Sequence, residues 1–418
     1  MTTIGTAEAD GSVAWARLAT AVVLSTLGGV GMWSVVVVLP AVQAEFGVAR
    51  GSAALSYTLT MLGFAVGGVL MGRLSDRFGI VRPVAGGGVA LALGFVLAGL
   101  SGSFWQFALV QGVLIGMLGS SATFAPLLAD ISLWFVRRRG IAVALCASGN
   151  YLAGTVWPPI VQHFTVTVGW RATYVGIGLF CAVTTVPLSL LLWRKPPGAR
   201  AEIGVIDRSP AAMGLSSGAL QALLVVAGIA CCVAMSMPQV HIVAYCGDLG
   251  YGAARGAEML SLMLGFGIIS RIGSGWLADR IGGLPTLMAG SALQGVALLL
   301  YLAFDGLTSL YVISALFGLF QGGIVPSYAV VVRESFPAQE AGTRVGVVLM
   351  ATLVGMALGG WMSGFIYDLT GSYHAAFANG VLWNALNGAV VLSLLLRRRS
   401  GGLKSPAVPP RATSPAAL

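Results

Sequence analysis

Charge is what this 418-residue sequence has least of: 9% of its residues are Asp, Glu, Lys or Arg, against about 25% in soluble proteins. A water-facing globular surface is thereby excluded. The five cysteines, Cys146, Cys181, Cys231, Cys232 and Cys246, lie in or at the ends of apolar stretches with no CxxC or Cys/His spacing, so neither a metal site nor a redox pair is expected. There is no Ser/His/Asp constellation and no phosphate loop, which argues against an enzyme, and nothing implies a cofactor. Nor is there a basic leader ahead of the first apolar run, where Glu8 and Asp10 stand instead.

Long apolar runs, by contrast, are abundant. Hydrophobic residues make up 57% of the chain and mean hydropathy is +0.89. About twelve stretches reach the 18 or more residues that cross a hydrocarbon core as a helix. Approximate spans are 17–43, 52–71, 83–101, 104–130, 140–164, 172–193, 217–245, 258–278, 283–304, 307–332, 344–367 and 374–396. The fold class expected is an all-α membrane protein of twelve transmembrane helices. The net charge of +9 does not point to nucleic acid, because most of the basic residues fall on one side of such a topology and only Arg50, Arg171 and Arg255 fall on the other. By the positive-inside rule both termini are cytoplasmic.

The chain also repeats itself. Gly72-Arg73-Leu74-Ser75-Asp76-Arg77-Phe78-Gly79 recurs as Gly275-Trp276-Leu277-Ala278-Asp279-Arg280-Ile281-Gly282, about half a chain later. Gly169-Trp170-Arg171-Ala172-Thr173-Tyr174 is echoed more weakly by Gly371-Ser372-Tyr373-His374-Ala375-Ala376. Residues 1–16 then form a cytoplasmic N-terminal segment, 17–193 a first six-helix bundle and 194–216 a cytoplasmic linker containing Pro196, Pro197 and Pro210. Residues 217–396 form a second bundle, and 397–418, rich in Pro, Ala and Ser, a disordered cytoplasmic tail. Two repeated halves imply a transporter with a midplane site between them.

The duplicated G-x-L-x-D-R-x-G motif resembles the major facilitator superfamily over nearly the whole chain. In detail the sequence is similar to the monocarboxylate transporter and oxalate:formate antiporter branch. The likeness rests on Gly28-Gly29-Val30-Gly31-Met32-Trp33-Ser34, on Glu45-Phe46-Gly47-Val48-Ala49-Arg50, on Trp134-Phe135 before the basic triplet, and on Arg271, eight residues before Asp279. The resemblance implies that Arg271 binds a substrate carboxylate. It also implies that Asp76, Arg77, Asp279 and Arg280 belong to a cytoplasmic gating network, with Arg137, Arg138, Arg139 and Glu334 as plausible partners; simple topogenesis is the rival reading. Two departures matter. Gly267 stands where many eukaryotic monocarboxylate transporters have an aspartate, and 345–367 holds no charge where the oxalate antiporter has a lysine, Thr352 lying at about that place. One arginine suggests one carboxylate.

Arg271 is singled out by the residues themselves as well. It alone among 23 Lys and Arg falls inside a predicted span rather than at an edge. About 12 Å of helix separate it from Asp279, and a guanidinium at that depth costs roughly 2.5–3.5 kcal/mol on insertion scales. Its i±3 and i±4 neighbours are Gly267, Ile268, Ser274 and Gly275, so no acid on its own helix compensates it. Either a substrate anion does so, or a structural acid such as Asp130 or Asp248.

Further substrate-binding candidates are Trp33, Asn150, Tyr151, Tyr57, Phe124 and Tyr328, with Trp157 on the face shared by Asn150 and Gly154. Helix packing is the competing role for the Asn150 group. Proton-coupling candidates are His241 and Asp248; a buried neutral histidine and a solvated helix-end acid are the alternatives. His163 is expected at an interface. The function expected is secondary active transport of a small monocarboxylate of the lactate or pyruvate kind across a cell inner membrane, by alternating access with proton symport. Exchange or export of another organic anion, and a non-transporting carboxylate sensor, are the alternatives. The partners are then the carboxylate, protons and the lipid bilayer.

Overall fold

The computed structural model describes residues 10–135, 138–194 and 215–402, and among the described residues there is helix and no strand. Twelve helical segments are long and apolar enough to cross a membrane: α1 (Ser12–Phe46), α2 (Arg50–Phe78), α3 (Val81–Gly99), α4 (Phe104–Trp134), α5 (Gly140–Val168), α6 (Trp170–Leu190), α7 (Ser217–Asp248), α8 (Ala253–Ile281), α9 (Gly283–Ala303), α10 (Leu307–Ser335), α11 (Glu340–Thr370) and α12 (Tyr373–Arg398). An even number of crossings puts the start of α1 and the end of α12 on one face, called the terminal face below; the other is the distal face. Most of the expected linker lies outside the described residues, as do 1–9 and 403–418.

Two boundaries differ from expectation. Residues 397–402, expected in the disordered tail, are helical, because the last helix runs Tyr373–Gly402. Arg397 and Arg398 place positive charge near its C-terminal end, where the helix dipole favours it. At the other end α1 begins at Ser12 and takes Arg17 inside the span. That residue is 5% exposed, not an edge charge. Asp130 of α4 accounts for it, accepting from Arg17 Nε at 2.6 Å and Nη2 at 2.8 Å, while the carbonyls of Leu192 and Arg194 take two of the other three donors.

Each half breaks its fourth helix. In α4 a wide π-helical stretch, Gln111–Gly119, is followed by a tight 3-10 turn, Ser120–Thr123, before the α-helix resumes at Ala125. In α10 the break falls at Gly322 and Gly323, and helix resumes at Ile324. Broken backbone inside a bilayer must find partners within the protein. In α10 the Gly323 amide donates to Ser270 Oγ (3.1 Å); in α4 the side chains of the irregular stretch reach across to α1, Ser120 Oγ donating to the Gly28 carbonyl (2.8 Å) and Gln111 Nε2 to the Gly31 carbonyl (2.9 Å), on either side of the interruption of that helix at Gly29. Close approach of α1 and α4 requires glycine, since a side chain at Gly28 would overlap Thr123.

The halves meet along two seams. Thr58 of α2 donates to the Ala357 carbonyl of α11 (2.8 Å), and the Ser261 hydroxyl of α8 donates to the Thr155 carbonyl of α5. Both contacts lie on the distal side of Arg271. On the terminal side, no ion pair among the described residues joins one half to the other.

Candidate functional site

Arg271 lies on α8 where that helix faces α5 of the other half. Its guanidinium carbon is 4.0 Å from the centre of the Tyr151 ring. One long hydrogen bond, 3.4 Å, runs from Nη1 to the Ala147 carbonyl, and Nε is buried with no partner. No carboxylate among the described residues pairs with it. The two acids that could have served are engaged elsewhere: Asp130 with Arg17 and Asp248 with Arg50. A cation–π contact in a desolvated setting is worth about 2 kcal/mol, which offsets part of the burial cost but satisfies none of the donors. What remains is a planar fork with N–H groups to spare, suited to two parallel bonds to a carboxylate.

The departure at Gly267 has a physical reason in this geometry. A Cβ there would overlap the edge of the Tyr151 ring, which leaves no room for an acidic side chain at this position. The arginine is thus held by a ring where an adjacent carboxylate would have neutralised it.

Tyr151 lies against the guanidinium, while Trp33 and Asn150 meet each other where α1 packs on α5. Trp33 Nε1 donates to the Asn150 carbonyl (3.1 Å), and its indole lies against Gly154. Trp157 Nε1 donates to the Thr26 carbonyl (2.8 Å). Both indoles therefore tie α1 to α5, whereas Asn150 Oδ1 is buried without a partner. Tyr57 of α2 lies with its ring against Gly360 of α11, and its buried hydroxyl also lacks a partner. Phe124 sits at the α4 break, its ring 5.6 Å from that of Phe64. Tyr328 is placed otherwise. Its hydroxyl donates to Asn387 (2.7 Å), which in turn donates to Ser291, so it ties α10 to α12 and α9 within one half. Only Gln321-Gly322-Gly323 beside it hinted that the register of α10 changes there.

A groove of about 360 Å³ opens along the α5–α8 seam, lined by Thr155, Pro159, Glu258, Ser261, Gly265 and Phe266 among others. It lies distal to Arg271.

At the distal face the coupling candidates enter a network that bridges the halves. Arg50, at the start of α2, makes a two-pronged ion pair with Asp248 at the end of α7, its Nη2 lying 3.1 Å from Oδ1. Arg50 also donates to Tyr373 (3.1 Å) and stacks on Tyr367, 4.0 Å from ring centre. Asp368 of α11 accepts from the backbone amides of Arg50 (2.9 Å) and Gly51 (2.7 Å). His241, 1% exposed, has Nδ1 at 3.1 Å from the Tyr373 hydroxyl and Nε2 at 2.8 Å from the Gly360 carbonyl. Arg50, Asp368 and Tyr373 were not singled out by sequence. The echo at Gly371-Ser372-Tyr373 was the one available signal, because the partners are hundreds of residues apart.

The four gating candidates are exposed at the terminal face. Arg77 lies over Phe78 and Arg280 over Trp276 (3.7 Å), and none of Asp76, Arg77, Asp279 and Arg280 forms an ion pair among the described residues. Glu334, a plausible partner, instead pairs with Arg398 and accepts from the Gly283 amide within its own half. The Arg137 and Arg139 side chains lie outside the description, and His163 is exposed.

Known proteins agree with this architecture. The sequence matches the profile described as Major Facilitator Superfamily over residues 21–293 and 268–417. Monocarboxylate transporter 13 of Bos taurus is 29% identical over 329 residues, covering 77% of this chain and 75% of that protein. Monocarboxylate transporter 11 of Homo sapiens is 31% identical over 332 residues, covering 77% and 68%. Among solved structures, the nucleoside transporter NupG aligns with a TM-score of 0.70 at 14% identity, over 91% of this chain and 99% of that one, a likeness of fold alone. Twelve membrane-spanning helices, the duplicated motif and these matches over most of the chain lead to one conclusion: this is a multi-pass membrane transporter, not an enzyme, and it belongs to the major facilitator superfamily.

Proposed function

We propose that the protein carries a small monocarboxylate across the cell inner membrane by alternating access, in symport with a proton, with both termini in the cytoplasm and the distal face outside. The observation that carries this reading is Arg271, a mid-span guanidinium with an aromatic ring beneath it and no acid beside it among the described residues. A substrate carboxylate supplies the missing charge. The similarity to monocarboxylate transporters of Bos taurus and Homo sapiens supports the same substrate class. Trp33, Asn150, Tyr151, Tyr57 and Phe124 shape the rest of the site, and the unpartnered Tyr57 hydroxyl and Asn150 Oδ1 are the polar groups left to meet a substrate's own polar atoms. Asp76, Arg77, Asp279 and Arg280 gate the cytoplasmic face in the opposite state of the cycle.

Energetics supports proton symport over uncoupled import. Bringing a monoanion in against an inside-negative potential costs about 2.3 kcal/mol per 100 mV, and a proton moving with it makes the step electrically neutral. The experiment is uptake of labelled L-lactate into proteoliposomes, with and without an inward proton gradient and with competing carboxylates. Uptake that rises with the gradient, and is lost in Arg271→Gln, is the expected result. Undiminished uptake by Arg271→Gln refutes the role of the arginine, and gradient-independent uptake refutes symport.

A further inference from the structure

The distal network is a chain of hydrogen bonds with a direction. The Gly360 carbonyl only accepts, so in neutral His241 the ring proton is on Nε2. Nδ1 is then an acceptor, and the Tyr373 hydroxyl donates to it. The same hydroxyl oxygen accepts from Arg50 Nη1. Arg50 donates to Tyr373, Tyr373 to His241, and His241 to Gly360, so that α2, α12, α7 and α11 are joined across the two halves.

Protonating Nδ1 breaks this order. The Tyr373 oxygen can accept from both cations, but its own proton then has no acceptor in the chain, and an unsatisfied buried donor costs about 1–3 kcal/mol. The charged groups around the imidazole are Arg50 from α2, Asp248 from α7 and Asp368 from α11; the phenols nearby are Tyr245, Tyr367 and Tyr373. Neither carboxylate offers the imidazolium an acceptor, because Asp248 holds the Arg50 guanidinium and Asp368 holds two α2 amides. The new positive charge would therefore sit two hydrogen bonds from Arg50, shut away from water.

We propose that His241 is the proton-binding site of the transport cycle, and that its protonation releases the Arg50–Asp248 latch and opens the distal face. This deepens the reading given above and rests on it for the identity of the distal face as the outside. By linkage, the latched state binds the proton less readily than the open one. Latching is therefore favoured at high pH and lost as pH falls through the imidazole range. A proton from outside opens the gate, which then admits the anion; deprotonation restores the acceptor at Nδ1 and the latch re-forms.

The test uses the full-length protein in lipid nanodiscs without any carboxylate. Spin labels are placed on cysteines introduced at Ala44 and Ala254, exposed sites at the distal ends of α1 and α8, and distances are measured by double electron–electron resonance at about pH 8 and about pH 5. The ratio of the long-distance to the short-distance population should rise about tenfold with acidification, if opening raises the imidazole's proton affinity tenfold. His241→Gln keeps a donor for Gly360 and cannot titrate, so it should abolish the response. Arg50→Gln should give the long distance at both pH values. Tyr373→Phe preserves the ring and removes the relay, and should blunt the response even where the His241 variant folds poorly. A wild-type distribution unchanged by pH, or a full response in His241→Gln, overturns the proposal. Because no substrate is present, a pH response that depends on His241 can stand even if lactate is not carried, and lactate uptake can stand even if this response is missing.

Discussion

Arg271 and Arg17 are both arginines inside membrane spans, and the protein should respond in opposite ways when Arg271 loses its own charge and when Arg17 loses that of its partner. Arg17 has a paired carboxylate at 2.6 Å, with the two side chains 4% and 8% exposed. Asp130→Asn leaves that guanidinium buried and uncompensated, which costs about 3–5 kcal/mol for a broken buried pair. Arg271 is uncompensated already. Its burial costs roughly 2.5–3.5 kcal/mol, and the Tyr151 stack returns about 2 kcal/mol. Arg271→Met retains an unbranched apolar stem against the ring while shedding both terms, so the substrate-free protein should gain about 0.5–1.5 kcal/mol, the difference between those two figures. Thermal unfolding of the purified protein in detergent, without carboxylate, reads both variants. The expected order is Arg271→Met at or above wild type and Asp130→Asn well below it. If Arg271→Met falls as far as Asp130→Asn, the arginine is a structural element with a partner, and the argument that it awaits an anion fails.

Two further outcomes follow from the seams. Gly267→Ala should push Tyr151 off the Arg271 guanidinium, since the added carbon overlaps the ring. Carboxylate uptake should then drop at least tenfold while a solubilised protein of normal size is still recovered, and wild-type uptake would show that the ring's position is immaterial. Cysteines at Thr58 and Ala357, where α2 and α11 share a 2.8 Å hydrogen bond, should stop transport when cross-linked by a short bifunctional reagent and leave it intact when uncross-linked. Transport that continues after complete cross-linking would rule out separation of these helices as part of the cycle.

Much of the fold was legible because membrane spans are written locally: each needs about 20 apolar residues and nothing from elsewhere. The repeat was legible for the same reason, since Asp76-Arg77 and Asp279-Arg280 carry their glycines with them. Arg271 could be picked out because its own helix offers it no acid. Arg17 could not be read correctly, because its partner is 113 residues away; from sequence it was an edge charge, and Asp130 a helix-end acid. The distal latch was hidden in the same way, with Arg50 and Asp248 separated by 198 residues. Tyr328 shows the opposite error. A tyrosine in the tenth span looked like a site residue until Asn387, on the twelfth, claimed its hydroxyl. The α4 break was missed because its stretch is tied to α1 through Ser120 and Gln111, 92 and 80 residues from the carbonyls they reach.

Asp368 has a consequence for how the halves can part. The residue before α2 is Ala49, which has no side-chain oxygen with which to satisfy the first amides of the helix. Those amides are satisfied by a carboxylate on the opposite half, so the helix borrows its cap from across the seam. When the halves rock apart, α2 loses that cap and its first turn must hydrate or unwind. A lost cap costs about 1 kcal/mol, and because both bonds go to one carboxylate they are lost together. The latched helix end therefore resists small displacements and gives way as a unit, which makes the departure from this state a discrete step and not a gradual tilt.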